Sequence, residues 1–363
     1  MFKKIFFALL ILVLFFSHSS AFCAIITVDT KRDWMAQNFI ANQIKGIGLV
    51  DSYQEDGENR SYVYDNALAA MACMAEGNFG LAKEILDTLA NEVKNSSYGV
   101  PCESYFYSDT NGAGYGISYA GNSAWLLQAL NIYQKLRSDK TYYKTQKKLA
   151  DFLLSLQDSS DGGIKGSKDA AWKSTEHSII AYCALRNFGK LNSKFSYIKR
   201  AEKIKTFLIS SRIWNDSEKR FNQGIHADGN IDTGEVVDAQ ALGVLLLGSS
   251  YSGALTWAEE NLKLSKTYNS QTVSGFDFDG NLDTVWLEGT LQMALSFYKS
   301  KNTSIGDTYY NEALKTAQSD GSLILATNEG SAGDSWILRP WRAIAPTSWL
   351  ICYSLKFNPL ILY

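Results

Sequence analysis

The stretch that decides the fold runs from residue 62 to residue 87 and reads YVYDNALAAMACMAEGNFGLAKEILD. Its first part, Ala67 to Ala75, is apolar on every side, which marks a helix buried all round. Its second part is one-sided. Leu81, Ile85, Leu89 and Val93 recur at fourfold spacing, with Lys83, Glu84, Asp87 and Glu92 opposite. That spacing predicts a helix with one face in water.

Working outward, this pair recurs along the chain. All-apolar helical stretches begin near Asp65, Asn122, Glu176, Val237, Glu288 and Thr347, at spacings of 57, 54, 61, 51 and 59 residues. One-sided stretches lie between them near 142–157, 197–211, 251–264 and 307–318, and an early one near 33–45 completes the set. A direct echo, Asp228-Gly-Asn-Ile-Asp-Thr233 against Asp279-Gly-Asn-Leu-Asp-Thr284, has the period of one unit. Twelve alternating outer and inner helices predict an all-α fold, an (α/α)6 toroid, as a single domain over residues 25–363. The inner helices then converge at one end of the ring, where their N-termini form a polar mouth above an apolar barrel.

Composition agrees with a large packed core. Of 363 residues, 46% are hydrophobic and 20% charged, which excludes bulk disorder. The charge of −2 lacks the basic surplus of a nucleic-acid binder. The 9 Trp, 20 Tyr and 18 Phe suit a large core or a surface that stacks on sugars.

Lys3 and Lys4, the apolar run Ile5 to Phe16, and His18-Ser-Ser-Ala21 form the pattern of a secretory signal over residues 1–24. The run is too short for a comfortable membrane span. An exported protein is expected, periplasmic or secreted, with no stable membrane insertion after cleavage. The mature chain keeps 33 basic against 37 acidic residues, a charge of −4. Cys73, Cys183 and Cys352 fall in apolar helices and read as buried thiols; Cys102 falls in a loop. With only His177 and His226 beyond the leader and no Cys/His cluster, neither a metal nor a cofactor is expected. Asp277-Phe-Asp279-Gly-Asn281-Leu-Asp283 echoes a calcium loop, but its Gly stands fourth where sixth is required.

Chemistry concentrates in the loops before the inner helices. They carry Tyr62 and Asp65; Tyr115, Asn122 and Trp125; Glu176 and His177; Asp238 and Gln240; Trp286 and Glu288; and Trp341, Arg342 and Trp349. Capping alone accounts for an acid at a helix N-terminus, but not for the aromatics flanking these acids. Two carboxylates across an aromatic-rimmed cleft are what glycoside hydrolysis requires.

The phrases YVYDNALAAMACMAEGNFGLAKEILD (62–87), GNSAWLLQALNIY (121–133), KSTEHSIIAYCAL (173–185), VVDAQALGVLLLG (236–248) and VWLEGTLQMALSFY (285–298) make the chain resemble the six-hairpin glycosidase superfamily. The resemblance spans nearly the whole mature chain. It implies a pocket at the inner-helix N-termini, carboxylate chemistry and a carbohydrate ligand. It carries over no catalytic residue.

From the residues themselves, Glu176 is expected as general acid and Asp65 as base, with Glu288 the substitute for either. Asp238 with Gln240 suits a sugar hydroxyl. Tyr62, Trp125, Trp286, Trp341 and Trp349 are candidate stacking platforms, Asn122 lies beside them, and Arg342 and Arg339 suit an acidic sugar. The expected function is an exported glycoside hydrolase acting as a monomer on a poly- or oligosaccharide. One alternative is a lyase or epimerase built on Tyr115, His177 and Arg342. The other is a non-catalytic glycan-binding or polysaccharide-assembly protein.

Overall fold

In the computed structural model, residues 30–46, 48–96, 102–106, 114–333 and 336–362 are described. The leader read over residues 1–24 lies outside them. Twelve α-helices occur among the described residues: α1 Thr30–Asn42, α2 Val63–Ala75, α3 Phe79–Asn95, α4 Ala120–Arg137, α5 Tyr143–Leu156, α6 Thr175–Leu191, α7 Phe195–Leu208, α8 Val237–Leu247, α9 Gly253–Asn261, α10 Leu287–Lys299, α11 Thr303–Leu314 and α12 Ile344–Ser354. The even-numbered helices are the inner ones. They pack in the order α2, α4, α6, α8, α10, α12, and α12 returns to α2 and closes the ring. Outer helices α3, α5, α7, α9 and α11 each pack against the inner helix before them. The alternating (α/α)6 toroid is therefore present.

The two helix types differ as their sequences demand. In α2 every residue from Asp65 to Met74 is buried, whereas α3 buries only Ala82, Ile85, Leu86, Leu89, Ala90 and Val93. Each buried Leu, Ile or Met side chain contributes about 1.5–3 kcal/mol. The inner barrel is the main reservoir of stability.

Each inner helix starts in the same way. Its first backbone N–H donates to a carbonyl in the loop leading to the next inner helix: Val63 to Glu103, Ala120 to Gly166, Thr175 to Gln223, Val237 to Phe278, Leu287 to Leu325 and Ile344 to Ser52, at 2.8–3.1 Å. Five of these junctions are reinforced by short antiparallel pairings, such as Tyr62 with Ser104, Ser174 with Gly224 and Trp286 with Ala326. A belt of backbone hydrogen bonds thus runs around the mouth and satisfies one otherwise orphaned donor per inner helix.

The far end is closed differently. Asn358 Nδ2 donates to the Leu245 carbonyl at 3.1 Å, and Gln128 Nε2 to that of Pro359 at 2.8 Å. Asn187 Nδ2 donates to Gln128 Oε1 at 3.0 Å, and Asn131 Nδ2 to the Ala184 carbonyl at 2.9 Å. Residues 358–360 form a plug held by neutral amides.

One expected helix is shorter than read. The outer stretch near 251–264 ends as α9 at Asn261, and Lys263–Tyr268 pairs with Gln271–Phe276 as a hairpin. Asn269 and Ser270 both take positive φ, 46° and 65°, the conformation of a two-residue hairpin turn. Among the described residues no helix is long and apolar enough to cross a membrane.

Candidate functional site

The belt places the second residue of every inner helix at the rim of the mouth. These residues are Tyr64, Gly121, Glu176, Asp238, Glu288 and Ala345. Asp65 and Asn122 follow at the third position. A cleft of about 390 Å3 opens there. Five carboxyl groups line it: Asp65, Glu176, Asp238 and Glu288 at the starts of inner helices, and Glu103 from the loop before α4. No Lys or Arg is among its lining residues.

The electrostatics follow from that imbalance. Burial pushes Asp65 up to about 7 and Glu176 up to about 7. Asp238 rises to about 7 through burial and then the charge of Glu176. Glu288 rises highest, to about 8, through burial and the charges of Asp65, Asp238 and Glu176. A carboxyl that keeps its proton near neutral pH can donate it. His177 is pushed down to about 4 by burial, so the imidazole is neutral and brings no balancing charge.

Each acid is held by specific donors. Trp125 Nε1 donates to Glu176 Oε1 at 2.9 Å. Tyr64 Oη donates to Glu288 Oε1, Gln292 Nε2 donates to the same oxygen at 3.1 Å, and Trp349 Nε1 donates to Tyr64 Oη at 3.1 Å. Burial and the Glu288 charge hold the Tyr64 phenol well above its ordinary range, so it stays a donor. The Ser52 hydroxyl serves Asp65. Asp238 Oδ1 accepts the Ala239 N–H at 2.6 Å. Of the four at helix starts, only Asp238 accepts an N–H from its own helix terminus, so capping does not explain the set.

Asp65, Glu176 and Glu288 lie in one cleft with Tyr62, Asn122, Trp125, His177, Asp238 and Trp286. Other expected members stand elsewhere. Gln240 is wholly buried and clamps the 220–221 strand, accepting from Phe221 N at 2.8 Å and donating to its carbonyl at 2.9 Å. Arg342 is bound by Glu55 at 2.5 Å and Asp320 at 2.9 Å, and Arg339 by Glu329 at 3.3 Å, so neither is free for an acidic sugar. Trp341 lies under the Arg339 guanidinium, 4.8 Å from its ring centre, and outside the cleft lining. Trp349 is fully buried and Trp125 is 2% exposed. Both act as N–H donors behind the acids, which leaves no face for stacking. The backbone of Tyr115 pairs with Ser104, but its side chain lies outside the described part. The cation expected near Glu176 is absent: Lys173 turns to Asp158 at 2.8 Å and Asp161 at 2.7 Å.

Sequence reading missed Tyr53, Tyr64, Glu103, Tyr119, Phe278, Gln292 and Trp336 as lining residues. Two carried a signal. Tyr64 occupies the same helix position as Glu176, Asp238 and Glu288, and Gln292 lies one turn beyond Glu288. Trp336 carried none. It sits on a hairpin, Gly330–Ala332 with Trp336–Leu338, and meets Tyr62 edge to face at 5.3 Å. At 37% exposed, it is the open aromatic face of the cleft.

The calcium-like loop anchors that hairpin. Asp279 Oδ2 accepts Gly333 N at 3.0 Å, and Asp283 Oδ2 accepts Ser331 N at 3.0 Å. Buried Asp277 accepts the N–H groups of Phe278 and Asp283 at 2.8 and 2.6 Å. Its carboxylates are committed to backbone, and among the described residues no group of three His, Cys, Asp or Glu is placed to hold a metal. Cys73, Cys183 and Cys352 are buried free thiols, and Cys102 is half-buried.

No family model and no curated protein matches this sequence. Solved structures do match its fold. A wild-type glycosidase is 10% identical, covers 91% of this chain and 96% of its own, and superposes with a TM-score of 0.65. A D-mannose isomerase is 10% identical, with coverages of 93% and 99% and a TM-score of 0.67. Cellobiose 2-epimerase from Bacillus thermoamylovorans B4167 is 12% identical, with coverages of 92% and 100% and a TM-score of 0.65. At such identities the likeness is one of architecture. Twelve alternating helices closed into a ring, matched over nine-tenths of the chain, give this protein the same (α/α)6 toroid fold as these three structures.

Proposed function

We propose that the protein is an exported glycoside hydrolase, with Glu288 as general acid and Glu176 as the partner carboxylate. The observation that carries this reading is the gathering of four inner-helix carboxyl groups, with Glu103 as a fifth, in one cleft with no Lys or Arg among its lining residues. Glu288 keeps its proton to the highest pH of the four, as a group that protonates a leaving oxygen must. Tyr64 and Gln292 occupy one of its oxygens and leave the other for the substrate. Glu176 is one-fifth exposed and has one oxygen held by Trp125. Its second oxygen, 3.5 Å from Nε2 of the neutral His177, is the one that can meet a water or the anomeric carbon. This reverses the role that the sequence suggested for Glu176, because Glu288 holds its proton to a higher pH and Glu176 is the more exposed of the two. Asp65, 3% exposed and tied to Ser52, supports the loop beneath Tyr62. Export rests on the leader pattern at residues 3–24.

Release of reducing sugar from a panel of glycans tests the reaction. On unactivated glycans, Glu288→Gln and Glu176→Gln are each expected to abolish turnover. An aryl glycoside with a good leaving group needs no acid, so Glu288→Gln should keep most of its activity there while Glu176→Gln does not. Equal losses on both substrates would remove the assignment of the acid. One observation favours a second reading. Neutral His177 lines the cleft with Nδ1 buried and unpaired, which suits proton transfer at a sugar carbon. Deuterium uptake from heavy water into an uncleaved sugar would establish that chemistry instead.

A further inference from the structure

The cleft is rich in acceptors and holds no charged donor. Besides its five carboxyl groups it contains Gln292, only 2% exposed, whose Oε1 has no partner although its Nε2 is engaged by Glu288. A buried acceptor left without a donor costs about 1–3 kcal/mol. Structures retain such groups chiefly where a ligand completes them. Arg339 and Arg342 are neutralised by Glu329, Glu55 and Asp320, and Arg60, whose charge reaches the lining residues Tyr62 and Glu103, pairs with Glu58. The cleft therefore repels an anionic sugar and has an open place for a cation.

Asp238 is the carboxyl best placed to meet that cation. It lies on α8, between the helices that carry Glu176 and Glu288, and interacts electrostatically with both. Among the described residues no side chain donates to it; its hydrogen bonds come from the backbone, the Ala239 N–H at 2.6 Å and its own N–H. Glu176 and Glu288, in contrast, each have an oxygen oriented by a side-chain donor. Asp238 is thus left to recognition, and a compact group with three donors suits a cleft lined by that carboxyl group and the unpartnered Gln292 Oε1. The cleft volume of about 390 Å3 is near the lower end of small-molecule pockets, about 300–1,000 Å3, which fits one or two sugar units better than a long chain.

We infer that the sugar bound in this cleft carries a free amine, held as its ammonium by Asp238, and that uronic acids are excluded. The inference rests on the reading of the cleft as a carbohydrate site. The test uses the Glu176→Gln protein, which binds without turnover, and calorimetric titration. The probes are glucose, galactose and mannose, each as the parent hexose, the 2-amino sugar and the uronate. In at least one series the amino sugar is expected to bind about tenfold more tightly than the parent, with no binding of the uronate. Adding Asp238→Asn should erase that preference, so that the parent hexose and the amino sugar bind alike. Parent and amino sugar binding equally, or any uronate binding, overturns the amine assignment and leaves the carbohydrate reading standing. A preference that survives Asp238→Asn overturns the role of Asp238. Failure of every probe overturns both the inference and the carbohydrate site.

Discussion

The two ends of the ring bury polar groups in opposite ways. At the far end, Gln128, Asn131, Asn187 and Asn358 form neutral hydrogen bonds to one another and to backbone carbonyls. At the mouth, Asp65, Glu176, Asp238 and Glu288 crowd four acids together without a cation among the lining residues. The same six helices form both ends, so folding does not require the imbalance. Two inner helices, α4 and α12, begin with Gly121-Asn122 and Ala345-Pro346 and need no acid to start. The backbone belt serves all six alike. One end is arranged for stability, and the other retains an unfavourable arrangement that a bound ligand can relieve.

Removing an acid from the mouth should separate these roles most sharply. Glu288→Gln or Glu176→Gln is expected to lower kcat by about 10²–10⁴-fold without lowering Tm, because each replaces a poorly solvated carboxyl with a neutral amide. A clear loss of Tm in either variant would place the acids among the stabilising groups and break the contrast. The reverse experiment is Asn187→Ala at the far end. It leaves Gln128 Oε1 without a donor and should cost about 1–3 kcal/mol in urea unfolding, with kcat per folded molecule unchanged.

Tyr64→Phe gives a smaller effect with a diagnostic sign. The Tyr64 hydroxyl favours the ionised form of Glu288, so its loss raises the Glu288 pKa further. The alkaline limb of the pH–rate profile should move to higher pH while peak kcat falls about tenfold, the equivalent of one misaligned hydrogen bond of about 1.4 kcal/mol. An unmoved limb would disconnect Tyr64 from the acid. Trp349→Phe, one donor further back, should produce the same shift in weaker form.

The least conspicuous effect is on stability against pH. The four acids have folded pKa values of about 7 to 8, above their ordinary range. Below about pH 4 both folded and unfolded forms hold these protons, and the groups contribute nothing differential. As pH rises from about 4 to 8 the unfolded chain releases protons first, so stability falls across that window. Melting curves between pH 5 and 8 should therefore slope downward, and less steeply in Glu288→Gln than in the parent. Parallel slopes would show that Glu288 titrates alike in both states.

Much of this arrangement was legible in the residues. Periodicity separated inner from outer helices because an all-apolar helix such as α2 has no alternative to burial. The acids were legible through their register at the first helical turn, and Tyr64 and Gln292 share that register. The 263–276 hairpin was not, because two positive-φ residues outweigh a short apolar run. Nor was the fate of Arg342, whose partner Glu55 lies 287 residues away. Trp336 reaches the cleft only because Asp279 and Asp283 anchor its hairpin, a tertiary contact without periodicity.

The hydrogen bond from Trp349 to Tyr64 joins residues 285 positions apart, and Tyr64 then reaches Glu288, 224 positions away. It lies where α12 meets α2, at the seam of the ring, beside the backbone bond from Ile344 to Ser52. Contacts so distant in sequence form late, because the entropy of closing the intervening chain opposes them until the rest is in place. A nascent chain that has built ten of its twelve helices holds Glu288 and Tyr64 but lacks Trp349, the donor that orients the phenol. Full turnover would thus report topological closure, and an incompletely wound chain would work below its full rate.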